Sequence, residues 1–311
     1  MEATVISTNI SLRKGVKKQA VSAITIDRQG AVDDAHRGSG LRQISILSRE
    51  IIEEFAGKAG RSFAWGDFAE NITTSGLDLR NVAILDRMQI GDAELEITQI
   101  GKECHGKGCA IFKEVGACVM PEDGVFCRVT NGGVVKSGDI ISHIEVPLKL
   151  KVITLSDRAS CGEYEDVSGL AIRQTLDKLF TGKRYRIIIS RVLIPDDADK
   201  LRAEVIAACS EGVAALFTTG GTGIGPRDIT PDVLIPLLDK QIPGPMEYVR
   251  IKYGERNPAV LLSRSIAGTR GQTLIFAMPG SPKAVAEYME VICSLLFHSM
   301  QMVRGIDSHA K

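Results

Sequence analysis

Apolar residues follow two different rhythms along this chain. From Val5 to about Val146 they come in short runs, at residues 20–26, 42–47, 82–90, 93–100, 125–129 and 139–144, each cut off by glycine or charge. That spacing predicts short strands and a mainly β half, a compact barrel or sandwich. One stretch departs from it: Ser48, followed by Ile51, Ile52 and Phe55, predicts a capped helix over 48–59. After Pro147 the rhythm becomes an apolar strand followed by an amphipathic helix. It occurs at 148–155 with 168–180, at 185–193 with 197–210, and at 213–218 with 230–240. A further strand at 273–277 and a long helix from Ser281 and Pro282 to about Val303 complete this half. The alternation predicts an α/β domain at 148–311, a mostly parallel sheet with helices on both faces, after a β-barrel domain at 1–147.

Composition narrows the function classes. Lys plus Arg and Asp plus Glu are 38 each, so the chain lacks the positive field that supplies nucleic-acid affinity. The longest apolar runs, such as 213–217, are too short to span a bilayer, and Met1-Glu2-Ala3 opens with an acid where a secretory signal carries lysines. A cytoplasmic protein without membrane or nucleic-acid partners is expected. Seven cysteines, an odd number in a chain able to build its own core, point to free thiols rather than a disulfide framework.

In an open parallel sheet, ligands bind beyond the carboxyl ends of the strands. The segments there are Ser156-Asp157-Arg158-Ala159-Ser160, Ile194-Pro195-Asp196-Asp197, the glycine-rich 218–228, and Met278-Pro279-Gly280-Ser281-Pro282. Glycines at 220, 221, 223 and 225 leave backbone N–H groups open to phosphate oxygens, although a plain structural turn has the same composition. The spacing fits neither the dinucleotide fingerprint nor the P-loop. Phosphoryl chemistry also needs Mg²⁺, which takes one or two carboxylates plus phosphate oxygens; Asp196 and Asp228 are placed for it. Helix capping is the alternative for Asp196 or Asp197, and first-turn dipole pairing for Asp232. Asp228 stands between the loop and the Thr230-Pro231 helix start.

Taken in order, Ser156 to Ser160, Tyr164-Glu165-Asp166, Ile194-Pro195-Asp196, Thr218 to Gly223, Arg227 to Asp232 and Pro279 to Pro282 resemble the molybdopterin adenylyltransferases, the family that includes the gephyrin G domain. The resemblance covers residues 148–305. It implies Mg-ATP as co-substrate, molybdopterin as substrate, adenylyl-molybdopterin and diphosphate as products, a homotrimer, and a cofactor-insertion or molybdoenzyme partner. By motif position it assigns catalysis to Asp196 and Asp228, Mg²⁺ to Asp228, and nucleotide phosphates to Thr219, Gly220, Gly221, Thr222, Gly223 and Ser281. Ser156, Asp157 and Asp166 fall to substrate binding. Arg227 and Lys283 are further candidates for holding phosphates, against ordinary surface charge.

In the first half, Asp33 to Gly38, Phe68 to Thr74, Gly101 to Gly106 and Gly132 to Asp139 resemble a MOSC domain over residues 6–145. The resemblance implies a site at Cys104 with His36 and Asn71, taking a molybdenum or tungsten pterin or carrying sulfur, since thiolate is a soft donor. His36 bonded to a turn backbone is the alternative. Lys102-Glu103 replaces the family's arginine-proline, and Phe68-Ala69-Glu70 replaces Phe-Gly-Glu. Cys104, His105, Cys109, Cys118 and Cys127 contain no CxxC pair and do not fit a structural zinc site. A non-catalytic pterin carrier or scaffold is the competing reading of the whole chain.

Overall fold

The computed structural model describes residues 2–38, 40–102 and 118–306. It separates into two compact units. One runs to Pro147 and includes Arg184–Arg186; the other comprises Leu148–Lys183 and Ile187–Gly305.

The first unit contains β1 (Thr4–Ile10), β2 (Gln19–Val21), β3 (Ala23–Asp27), β4 (Gly30–Ala31), β5 (Ile44–Ser48), β6 (Ile72–Ser75), β7 (Arg87–Ile90), β8 (Ala93–Ile100), β9 (Val125–Asn131), β10 (Gly133–Lys136) and β11 (Ile141–Ile144). Its helices are α1 (Arg49–Ala59) and α2 (Met120–Asp123). The strands form an eight-stranded sheet in the order β11-β7-β8-β9-β5-β6-β1-β2 and a three-stranded sheet, β10-β3-β4. The expected barrel is therefore not closed. Closure needs the outer strands to pair along their length, whereas β2 is three residues long and pairs with β1. The end near β11 meets β1 through the isolated bridge from Thr4 to Ile140 and a few backbone hydrogen bonds around it, such as Val5 N–H to Asp139 O at 2.9 Å and Ile141 N–H to Ala3 O at 2.8 Å, and not as a paired strand.

Strand β5 holds the centre of this unit, with all five residues buried. It is flanked by β6 in parallel and β9 in antiparallel register. The serine cap behaves as its chemistry dictates: Ser48 Oγ accepts the Ile51 N–H at 3.3 Å, and Gly60, at φ 65°, closes α1. Ile51 and Ile52 are buried and belong to the core with Phe68 and Ile72.

The second unit contains β12 (Leu148–Leu155), β13 (Ile187–Ile194), β14 (Ala215–Thr219), β15 (Lys240–Gln241), β16 (Ile266–Arg270) and β17 (Thr273–Met278). Its helices are α3 (Asp157–Ser160), α4 (Val167–Phe180), α5 (Ala198–Ser210), α6 (Thr230–Leu234), α7 (Pro243–Gly254) and α8 (Pro282–Val303). The sheet order is β13-β12-β14-β17-β16-β15. The first four strands are parallel, β16 runs antiparallel to β17, and β15 runs antiparallel to β16. Every residue of β14 is buried: Leu216 packs with Leu201 and Val205 of α5, and Phe217 stacks on Phe276 at 5.6 Å.

The helix predicted over 230–240 is shorter than expected. Thr230 begins it, but Pro236 has no N–H to continue the ladder, so α6 ends at Leu234, a 3₁₀ turn covers Ile235–Leu237, and β15 follows. Among the described residues, no helix is long and apolar enough to cross a membrane.

Candidate functional site

The carboxyl ends of β12, β14 and β17 are tied together by their own backbones. Gly220 N–H donates to Met278 O at 3.1 Å, and Thr219 Oγ1 donates to Pro279 O at 2.8 Å. Gly220 sits at φ 106°, and a Cβ there would lie 2.3 Å from Leu155 O. Only glycine lets the loop pass this close to β12. Beyond it the carbonyls face inward: Gly220 O accepts Thr230 Oγ1 at 2.8 Å, Gly221 O accepts Thr230 N at 3.0 Å, and Thr222 O accepts Arg264 N at 2.8 Å. The N–H groups of Gly221, Thr222, Gly223 and Ile224 meet no acceptor among the described residues. A run of unpaired amides whose carbonyls are engaged elsewhere has the geometry to accept an anion.

Asp228 closes the same loop. Its Oδ2 accepts the Gly225 N–H at 2.8 Å, its own N–H donates to Gly225 O at 3.0 Å, and Oδ1 has no protein partner among the described residues. Asp157 and Asp196 form a reciprocal pair, Asp157 N–H to Asp196 Oδ2 at 3.3 Å and Asp196 N–H to Asp157 Oδ1 at 3.0 Å. Arg227 forms an ion pair with Asp157. Burial, with the negative charges of Asp157 and Asp228, raises the Asp196 carboxyl above the usual carboxylate range. Ser281 caps α8 by accepting Ala284 N–H at 3.2 Å, and it lines a cavity of about 380 Å³ with Thr222, Gly223, Pro279 and Tyr288.

Two expected residues have other partners. Asp166 caps α4, with Oδ1 accepting Gly169 N–H at 2.8 Å and Oδ2 held by Thr154 and Arg191 at 2.9 and 2.8 Å. Ser156 Oγ bonds Tyr164 Oη at 2.6 Å and caps the short α3.

Residues 151–298 match the model of a probable molybdopterin binding domain, and residues 33–142 match that of the MOSC domain. The molybdopterin adenylyltransferase of Pyrococcus furiosus is 38% identical over 160 residues, which cover 50% of this chain and 91% of that protein. The chain belongs to the molybdopterin adenylyltransferase family. A molybdenum cofactor biosynthesis bifunctional protein of Chlorobaculum tepidum is 32% identical over 56% of this chain, which spans about half, 54%, of that protein's length. The crystal structure of a tungsten cofactor synthesizing protein MoaB from Pyrococcus furiosus, 36% identical, covers 51% of this chain and 98% of its own, with a TM-score of 0.46.

This adenylyltransferase-family chain carries a second polar cluster, in its MOSC unit. His36 and Asn71, far apart in sequence, meet at Asp34. Asp34 Oδ1 accepts the His36 N–H at 2.9 Å and contacts His36 Nδ1 at 3.2 Å, while Oδ2 accepts Asn71 Nδ2 and Ser11 N at 3.2 and 3.1 Å. The fourth partner is Lys18, whose fully buried Nζ pairs with Oδ2. Burial alone would push the Asp34 carboxyl up. Bonds from His36 and Lys18, with the Lys18 charge, reverse this and hold it well below the usual range. Asn71 is committed to the protein, since its Oδ1 accepts both Ser45 N and Ser45 Oγ. His36 is partly exposed. Cys104, His105 and Cys109 lie outside the described residues, but Lys102 is near enough to act on the Lys18 charge. Sequence reasoning missed Lys18 and Asp34 as the hub, because Lys17-Lys18 reads as a solvated loop and only the fold buries one of the pair.

Proposed function

We propose that the second unit transfers the adenylyl group of ATP to the phosphate of molybdopterin, releasing diphosphate. The observation that carries this is the run of unpaired amides from Gly221 to Ile224 beside the free Oδ1 of Asp228. In this reading the amides hold nucleotide phosphate, the cavity floored by Thr222 and Ser281 receives the organic part of a substrate, and Asp196, at the same sheet edge, orients the attacking phosphate. A pterin phosphate oxygen bonds to the α-phosphorus, and the bond from that phosphorus to the diphosphate breaks. The protein mostly aligns reactants and excludes repulsion between them.

Magnesium fits this arrangement as a passenger of the nucleotide. Among the described residues no three His, Cys, Asp or Glu side chains cluster to hold a metal, whereas one free carboxylate oxygen at Asp228 matches an ion ligated mainly by phosphate and water. When bound, Mg²⁺ would neutralise the departing diphosphate.

Purified protein given ATP, Mg²⁺ and molybdopterin will form adenylyl-molybdopterin and release diphosphate, and Asp228→Ala will abolish both. An unimpaired variant, or pterin binding with no diphosphate release, refutes the reading; the second result marks a carrier. The α7 residues Tyr248 and Ile251, with Leu261 and Leu262 nearby, are more than half exposed. Such a patch supports the homotrimer, and light scattering at the mass of one chain rejects it. For the MOSC unit we assign to the Cys104 thiol the carrying of sulfur to a molybdenum or tungsten pterin received there. Loss of cofactor sulfuration in Cys104→Ser, with adenylylation intact, supports this; unchanged sulfuration removes it. A cofactor-insertion protein or molybdoenzyme is then the receiving partner, detectable by co-purification with the loaded protein.

A further inference from the structure

One arginine that no motif marks out holds both ends of the glycine loop. Arg264 donates from its backbone N–H to Thr222 O at 2.8 Å and from Nε to Gly223 O at 2.7 Å, and its Nη2 bonds the Asp228 carbonyl. The other terminal nitrogen, Nη1, takes both oxygens of Asp232 at 2.8 and 3.0 Å. The residues on either side are themselves fixed, since Arg250 Nη1 reaches Ser263 O and Ser265 O at 3.3 and 3.1 Å. The guanidinium is a planar fork of donors with a fixed spread. Here that spread spans the loop from Gly223 to Asp228 without touching its open amides.

We propose that Arg264 is a positioning residue that holds the 222–228 loop in its anion-accepting form, with Asp232 orienting the guanidinium; the proposal rests on the adenylyl-transfer reading of this site. A peptide plane has two sides, so fixing the carbonyls of Thr222 and Gly223 inward fixes the amides of Gly223 and Ile224 outward. Fixing the Asp228 carbonyl sets the backbone from which its carboxylate projects. Without the fork, these planes are free to turn, and the cradle exists for only a fraction of the time. Apparent affinity for the anion falls by that fraction. Arg264 is itself partly exposed, at 37% of its side chain, so its removal opens no core cavity.

The test compares the full chain with Arg264→Ala, Arg264→Lys and Asp232→Asn. Hydrogen exchange without ligand should speed up about tenfold or more at the hydrogen-bonded amides of the loop, Gly225, Asp228 and Thr230, in Arg264→Ala and stay unchanged in the β-sheet. The KM for ATP should rise about tenfold, with the KM for molybdopterin within about twofold of wild type. Arg264→Lys keeps the charge but not the fork, and should recover only a small part; Asp232→Asn should fall between wild type and Arg264→Lys. Unchanged loop exchange in Arg264→Ala overturns the proposal, as does exchange that rises throughout the unit with a matching loss of Tm. If the wild type makes no adenylyl-pterin while Arg264→Ala still loosens the loop, the adenylyl-transfer reading fails and the clamp stands.

Discussion

Glu70 gives the sharpest test of the first unit's electrostatics. It is fully buried, with Oε1 accepting Gly66 N–H at 2.6 Å and Thr73 Oγ1 at 2.9 Å. Its other oxygen, Oε2, has no hydrogen-bond partner among the described residues. A half-satisfied buried carboxylate is costly to ionise, and burial pushes Glu70 up to about 6 from 4.5, outweighing those bonds. Because the folded value is the higher one, the associated stability is fully present below pH 4.5 and is lost as pH rises to about 6. At about 1.36 kcal/mol per tenfold, the gap between 4.5 and about 6 amounts to about 2 kcal/mol. Glu70→Gln removes the titration while keeping the Oε1 acceptor. Trp65, the one tryptophan of the chain, packs partly buried against this unit's core, so its fluorescence follows this unit during urea unfolding. Wild-type stability minus that of Glu70→Gln should fall by about 1.5 kcal/mol between pH 4.5 and 6.5, most of the full gap. Groups that titrate alike in both proteins cancel from the difference. A flat difference, or one that rises with pH, refutes the reasoning.

Other outcomes follow from the same structure. Lys18→Met leaves the Asp34 carboxylate buried without its cation and should cost about 3–5 kcal/mol in urea unfolding, much of it restored when Asp34→Asn is added. Ala69 sits at φ 65°, a conformation costing an L-residue about 1–2 kcal/mol, while glycine loses about 0.5–1 kcal/mol of chain entropy. Ala69→Gly should therefore stabilise the protein slightly, by about 0.5–1 kcal/mol, and a lower Tm would contradict this. Asp166→Ala removes a helix cap and should cost about 1 kcal/mol of stability. If its kcat falls far more than its stability, Asp166 acts on substrate rather than on α4.

Local chemistry carried well from sequence to fold. Ser48, Asp197 and Ser281 each cap the helix they precede, because a short oxygen-bearing side chain satisfies end amides whatever the tertiary context. Asp197 is thus explained by capping. Non-local pairing was less legible. The antiparallel strand β16 went unread, although Gly271 at φ 55° between Arg270 and Thr273 forms the two-residue turn of a hairpin. In the first unit, the runs marked strands correctly at 93–100 but not their closure, since whether outer strands meet depends on contacts such as Thr4 with Ile140. The glycine loop was visible as composition; which of its peptide groups are unpaired was not. Arg264 and Lys18 lie 41 and 16 residues from the groups they serve at Gly223 and Asp34, and no local pattern marks them. The family's Phe-Gly-Glu acquires a reason: position 69 needs a left-handed backbone, which this chain meets with alanine.

The open amides at Gly221 to Ile224 also set how recognition should respond to ionic strength. Attraction between a mobile lysine and a phosphate is screened by added salt. Peptide dipoles fixed by Thr230 and Arg264 act at contact range and carry no net charge of their own, so salt has little there to screen. The loop should sort anions by the spacing of their oxygens more than by their total charge. Raising salt should therefore weaken the side-chain contribution of residues such as Arg227 first and leave the backbone contribution largely in place.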